Sequence, residues 1–265
     1  MAEILREGNL YHLRNEQVSY VMREMPGGVL AHLYFGARLE RLNAENLLRR
    51  ANVPADEGFS VQECTLDRLP QEYPSFGLGD MRDGALTVEG PDGSWAVDLR
   101  VEKAETLEAK PALEGLPATR GEGSAALRLT LKDAHTGLTV LLDYAIYDDC
   151  PAVTRSARLV NGGEAPLNVT RAYSLCLDLP DDGWELSTLP GAWARERSLS
   201  RRPLAAGHQG SPAAGAPAAP RPRRSWRWSG RKPPRRLGRP SARRWSTAAT
   251  SSRTPRSPSS ARPAC

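Results

Sequence analysis

Acidic pairs and histidines are the side chains of this sequence whose types could do chemistry. Asp148-Asp149 and Asp181-Asp182 are neighbouring carboxylates, but both pairs lie in polar stretches that are typical of exposed turns. His12 and His32 fall within strand patterns, where a histidine more often makes a structural hydrogen bond than binds a ligand. The residue types alone therefore predict no catalytic residue.

The cysteines and one acid–base pair add little to this. Four cysteines stand without CxxC spacing, which indicates neither a disulfide framework nor a zinc site. We predict that Asp80 and Arg82 form a buried structural pair or bind backbone groups. We accordingly expect no metal site and no cofactor.

The segments that would position such residues have the sequence patterns of strands. Residues 126–132, ALRLTLK, carry leucine at every second position, the period of a half-buried strand. A polar loop at 133–137 separates them from LTVLLDY at 138–144, so the two runs predict a hairpin.

The same strand–turn–strand pattern recurs along the chain, with turns at 26–28, 90–93 and 161–163. Many short strands with almost no helical periodicity predict a mainly β fold, an antiparallel β-sandwich. Residues 39–51, LERLNAENLLRRA, are the one plausible helix, and they could equally be a loop.

Charge and composition divide the chain at residue 210. Residues 211–265 hold 14 of the 36 Lys and Arg, none of the 31 Asp and Glu, ten prolines and only one leucine. Residues 1–210 therefore form an acidic body, predicted as the sandwich, and 211–265 a basic tail. With so little apolar surface, the tail is predicted to be disordered.

No apolar run approaches the length of a membrane span, and the N-terminus MAEILREGNLYHL lacks the apolar core of a signal peptide. We expect a cytoplasmic protein with no membrane partner.

Several segments of the body match one family in order and spacing. They are YHL at 11–13 followed by VSYV at 18–21, LAHLYFG at 30–36, EYPSFG at 72–77 with DMR at 80–82, GLPA at 115–118, TRSA at 154–157 and LPGAWARER at 189–197. Together they resemble the N-terminal domain of family 36 α-galactosidases.

The resemblance implies a supersandwich-like domain that precedes a catalytic (β/α)8 barrel in a tetrameric enzyme. In the family, two aspartates of that barrel hydrolyse terminal α-galactosides with retention. This chain shows no segment similar to the barrel. We therefore expect a partial sandwich domain of a retaining glycosidase, inactive alone, and the tetramer is doubtful for it.

Two residues inherit a sugar-binding role from the resemblance. The family's tryptophan in the GxW motif lines the galactose site, and Trp193 occupies that position. An acidic residue in the loop after HLYFG makes a second family contact, and Asn52 stands near that position. Asparagine keeps a hydrogen-bond acceptor but lacks the charge.

The tail indicates out-of-frame translation. If the frame is moved back by one nucleotide, the codons of 225–231 permit FLALVRP and those of 243–251 permit AALVYSGNF. Both are similar to family segments that follow this point.

Two alternatives stand beside the fragment hypothesis. One is a stand-alone carbohydrate-binding sandwich that uses Trp193. The other is nucleic-acid binding by the basic tail, in which Trp226, Trp228 and Trp245 are interleaved with cations, although charge and aromatics alone are a weak signal.

Overall fold

The structure, a computed structural model, describes residues 1–48, 60–61, 64–66, 68–80, 82–113, 119, 121, 123–178, 183–188, 199–207, 209 and 227–229. Of the predicted tail, only 227–229 fall within this part, as a short strand. Disorder of the tail and the boundary at residue 210 stay predictions.

The described residues are mainly strands, as the sequence predicts. In chain order they form β1 (Glu3–Glu7), β2 (Leu10–Arg14), β3 (Val18–Glu24), a 3-10 turn (Pro26–Gly28), β4 (Leu30–Ala37), α1 (Ala44–Leu47), β5 (Ser60–Val61), β6 (Cys64–Thr65), β7 (Leu86–Glu89), β8 (Leu99–Leu107), β9 (Ser124–Asp133), β10 (Leu138–Tyr147), β11 (Val153–Asn161), β12 (Asn168–Ala172), β13 (Glu185–Thr188), β14 (Ser200–Pro203) and β15 (Arg227–Ser229).

The first sheet has the order β1-β2-β3-β4 and is antiparallel throughout. Its inner strands β2 and β3 are buried on both faces, which is why LYHL and VSYVM show few charges. One face belongs to the main core. The other packs against Leu66 and Leu69 and against the segment around α1.

The second sheet has the order β11-β10-β9-β8, also antiparallel. The predicted hairpin is confirmed, since β9 pairs with β10 and Leu129 lies opposite Leu142. Leu127, Leu129 and Leu131 are buried, as their period of two requires.

The two sheets share one hydrophobic core, which confirms the antiparallel sandwich. Side chains of both sheets, together with β7, meet in it: Tyr11, Leu13, Tyr20, Met22, Leu86, Val88, Leu127, Leu129, Leu131, Leu138, Val140, Leu142, Tyr144 and Ile146 are among its buried members. Each fully buried aliphatic side chain contributes about 1.5–3 kcal/mol relative to exposure.

Two of the four predicted hairpins form, and two do not. The turn at 26–28 joins β3 to its partner β4. The turns at 90–93 and 161–163 are present, but the strands on either side of them do not pair with each other. Instead β7 pairs with β12, so neither a β7–β8 nor a β11–β12 hairpin forms. A turn signal shows where the chain reverses; it does not identify the partner strand.

The connection between β7 and β8 is hydrogen-bonded to an earlier segment of the chain, and this keeps it out of a β7–β8 hairpin. Residues 94–98 run along the 74–77 segment, where Val97 N donates to Phe76 O at 3.2 Å and Ser75 Oγ donates to Val97 O at 2.6 Å. Gly77 has φ +107, and a Cβ there would lie 2.5 Å from Ala96 Cα. Only glycine fits this approach.

The stretch 39–51, predicted as helix or loop, is mostly loop in its described part. The helix α1 is a single turn, and Asn43 caps it by accepting hydrogen bonds from Glu45 N and Asn46 N at 3.1 and 3.4 Å. Leu39, Leu42 and Leu47 are partly buried against the first sheet, so packing rather than helix formation places this segment.

Within the part of the chain that the structure describes, no helix combines the length and apolarity needed to cross a bilayer.

Candidate functional site

A buried carboxylate, Glu72, lies where the two sheets meet. The backbone of its segment is attached to β4, because Glu72 N donates to Leu30 O at 2.9 Å and His32 N donates to Pro70 O at 2.7 Å. This attachment turns the side chain of Glu72 into the core, where it has no solvent exposure.

Four side chains bind the Glu72 carboxylate. Tyr20 Oη, Tyr144 Oη and Arg155 Nη1 donate to Oε1 at 2.6, 2.8 and 2.9 Å. His32 Nδ1 lies 3.1 Å from Oε2. Because Tyr20 and His32 belong to the first sheet and Tyr144 and Arg155 to the second, this Glu72 network joins the two layers.

Arg155 is the cation of the network and is almost fully buried. Its Nη2 also donates to the backbone oxygen of Glu72 at 3.0 Å. The guanidinium lies over the rings of Tyr73 and Tyr144, 5.3 and 5.5 Å from their centroids. Ion pairing and cation–π contacts thus replace much of the water that this group loses, while its Nε is buried without a hydrogen-bond partner.

Neighbouring groups determine the protonation states of the residues in the network. Burial opposes ionisation of Glu72, but Arg155 together with hydrogen bonds from His32 and Tyr20 outweighs it, so the pKa of Glu72 is lowered. Burial and the adjacent carboxylate raise the pKa of Tyr20 and of Tyr144 well above the ordinary value, which keeps both phenols neutral donors.

The geometry of the Glu72 network suits a structural role better than a catalytic one. Both carboxylate oxygens are occupied, and a catalytic carboxylate must reach a substrate. The cavity beside Tyr73 and Gln71 measures only about 10 Å³, room for about one water molecule. The network therefore fixes the relative position of the two sheets.

A second network contains the predicted Asp80–Arg82 pair, in which Asp80 is buried but the Arg82 side chain is 38% exposed. Arg82 Nε and Nη2 donate to the two oxygens of Asp80 at 2.9 and 2.8 Å, and Nη1 reaches Asp178 at 2.8 Å. Arg82 Nη2 also donates to the backbone oxygens of Leu66 and Leu69. Asp80 is 4% exposed, and through Arg82 this pair anchors the backbone at Leu66 and Leu69.

Trp193 and Asn52, the two residues predicted to contact sugar, lie outside the described residues. The strands on either side of the segment that contains Trp193, β13 and β14, pair with each other. Asn52 lies in the sequence between α1 and β5. Both roles stay predictions.

The sequence did not single out Glu72 and Arg155 as partners, although each falls in a quoted motif. The motifs at 18–21, 30–36, 72–77 and 154–157 supply Tyr20, His32, Glu72 and Arg155 to one network. The sequence carries no local signal for this pair, because Glu72 lies outside the named strands and Arg155 stands between Thr154 and Ser156 in β11. The described residues contain no cluster of His, Cys, Asp or Glu arranged to hold a metal.

Glu72→Gln is expected to destabilise the fold by about 3–5 kcal/mol at neutral pH, because it leaves the Arg155 charge buried without its counter-charge. Urea unfolding measures this. Glu102→Gln, in an exposed pair with Lys132, is the control and should change stability by about 0–1 kcal/mol.

The difference in the free energy of unfolding between wild type and Glu72→Gln is expected to depend on pH. A lowered folded-state pKa makes the contribution of Glu72 complete above about pH 4.3 and removes it as pH falls through the folded pKa. The gap should therefore shrink in acid, and a gap that is constant with pH would contradict the network.

Tyr73→Phe and Tyr144→Phe remove the same atom with opposite consequences. The hydroxyl of Tyr73 is buried without a hydrogen-bond partner, so its removal should be neutral or stabilising. The hydroxyl of Tyr144 binds the Glu72 carboxylate, so its removal should cost about 1.5–3 kcal/mol. Thermal and urea unfolding compare the two variants, and equal stabilities would refute the assignment.

A family model, curated relatives and solved structures all match this chain to the same family. The model of the glycosyl hydrolase family 36 N-terminal domain matches residues 28–215. α-Galactosidase AgaA of Geobacillus stearothermophilus is 39% identical over 209 residues, which are 75% of this chain and 28% of AgaA.

Solved structures agree in fold. The crystal structure of the family 36 α-galactosidase AgaB from Geobacillus stearothermophilus is 38% identical with a TM-score of 0.69, covering 77% of this chain and 29% of that chain. An AgaA variant in complex with raffinose is 37% identical with the same TM-score of 0.69, covering 75% and 28%.

The chain spans about 28% of the length of the curated relative that it matches. The family model covers most of residues 1–210 and includes three of the motifs that meet at Glu72. The chain belongs to glycosyl hydrolase family 36, and the part that matches is the family's N-terminal domain.

Proposed function

We propose that this chain serves as the N-terminal domain of an α-galactosidase that hydrolyses terminal α-galactosides. The observation that carries the proposal is the 39% identity to α-galactosidase AgaA over 209 residues. The binding of raffinose, an α-galactoside, by an AgaA variant supports the substrate class.

In this proposal the domain supplies sugar contacts, and the catalytic aspartates belong to the barrel that follows it in the family. The chain as printed is then inactive alone. The role of Trp193 rests on the resemblance of the 189–197 motif, and stacking of its aromatic face on a sugar ring is the contact it would supply.

We further propose that residues from 211 onward are read out of frame. The experiment compares the 265-residue chain with the product of the same gene after the frame is moved back by one nucleotide at codon 211. Hydrolysis of p-nitrophenyl α-galactoside and melibiose is expected only from the second product. Equal hydrolysis by the printed chain, or a shifted frame that encodes no barrel, would contradict the proposal.

In the frame-restored protein, Trp193→Ala should raise KM for melibiose about tenfold or more, since burying an aromatic face against a ligand contributes roughly 1.5–3 kcal/mol. Trp95→Ala is the matched control, because Trp95 is 40% exposed on the connection to β8. Its KM should stay at the wild-type value. Equal KM values for the two variants would remove Trp193 from the site.

Asn52→Asp tests the second contact in the same assay. A charged acceptor makes a hydrogen bond roughly twice as strong as a neutral one, so KM for melibiose should fall several-fold. An unchanged KM would exclude residue 52 from the sugar site.

A further inference from the structure

The hairpin of β1 and β2 has one face that lines a cavity. Pairing places Leu5 opposite His12 and Glu7 opposite Leu10, and alternation sends these four side chains to the same side. Leu42, from the segment before α1, also lines this cavity. The cavity is partly open to solvent and measures about 200 Å³.

His12 contributes a hydrogen-bond donor to this cavity. The side chain is 4% exposed, and its Nε2 lies 2.8 Å from Ser19 Oγ. Ser19 Oγ also accepts from Leu39 N at 3.0 Å. Since Ser19 is fully buried, its own proton needs an acceptor, and His12 Nε2 provides it. The imidazole proton therefore lies on Nδ1.

The Nδ1–H group of His12, a residue that lines the cavity, is left free to bind a ligand there. In the described part of the chain, Nδ1 has no hydrogen-bond partner, and it is not among the polar atoms sealed in by protein. Burial and the nearby Arg14 lower the pKa of His12 to about 4, so the ring is a neutral donor at physiological pH.

The remaining walls complement this donor. Glu7 is exposed at the cavity and offers carboxylate acceptors. Arg14 and Glu40 also line it but are engaged elsewhere, Arg14 with Glu3 at 2.6 Å and Glu40 with Arg38 at 2.9 Å. Leu5, Leu10 and Leu42 supply an apolar surface.

The size and chemistry of the cavity restrict the ligand. A volume of about 200 Å³ is below the roughly 300–1,000 Å³ of pockets for drug-sized molecules. A ring that carries several hydroxyls can accept from His12, donate to Glu7 and lay its C–H groups on the leucines. We propose that this cavity binds a neutral polyhydroxylated ring of monosaccharide size, with His12 Nδ1–H and Glu7 as its polar contacts.

The proposal rests on the β1–β2 hairpin and does not depend on the proposed function. The test uses the 265-residue chain carrying Trp193→Ala, which removes the other predicted sugar contact. D-Galactose, D-glucose and myo-inositol are titrated while the imidazole nitrogens of His12 are followed by NMR. A saturable shift of the His12 Nδ1 resonance is expected with at least one of the three.

Glu7→Gln should weaken this binding by roughly tenfold, the effect of losing a charged hydrogen-bond acceptor. Glu164→Gln, at an exposed loop position, is the control and should bind as the parent does. Leu42→Trp, which fills the cavity, should abolish the shift. Circular dichroism checks that each variant keeps its β structure.

Three results would overturn the proposal. The first is a His12 spectrum without ligand that shows the proton on Nε2, since the donor would then point at Ser19. The second is the absence of a saturable shift with all three compounds. The third is equal affinity in Glu7→Gln and Glu164→Gln. None of them bears on hydrolysis by the frame-restored enzyme, so this failure is distinguishable from failure of the proposed function.

Discussion

The arrangement of the two sheets depends on one buried ion pair. Glu72 and Arg155 lie in segments that are far apart in the sequence, and their contact at 2.9 Å brings the 70–73 segment and β11 together. Tyr20 and Tyr144 donate to the same carboxylate oxygen from opposite layers. The carboxylate finds all its donors only when both sheets are in their native register, so the network selects one packing of the sandwich.

Such a pair contributes more to specificity than to net stability. Desolvation of two charges costs several kcal/mol per ion, and well-packed apolar residues in their place are often as stable. An apolar contact, however, tolerates sliding between sheets, whereas a carboxylate with four donors does not. This explains why motifs that are scattered over more than 130 residues of the sequence meet at a site with no access for substrate.

Local features of the fold could be predicted from the sequence, and distant pairings could not. The leucine alternation at 127, 129 and 131 predicts the β9–β10 hairpin because strand and partner are neighbours in the chain. The pairing of β7 with β12 joins residues about 80 positions apart, and no turn signal encodes it. For the same reason Glu72 and Arg155 were not recognised as partners. The sugar-binding roles of Trp193 and Asn52 were predicted from family resemblance, which indicates a role but gives no geometry.

The separation of Glu72 from Arg155 also sets an order of events during synthesis. The first sheet is local in sequence and can pair as soon as residue 37 has left the ribosome. After Glu72, 83 more residues must be synthesised before its partner Arg155 emerges. At about 5–20 residues per second, this delay is roughly 4–17 s. Until then the carboxylate stays hydrated, and the inner face of the nascent sheet is left to chaperones or to solvent.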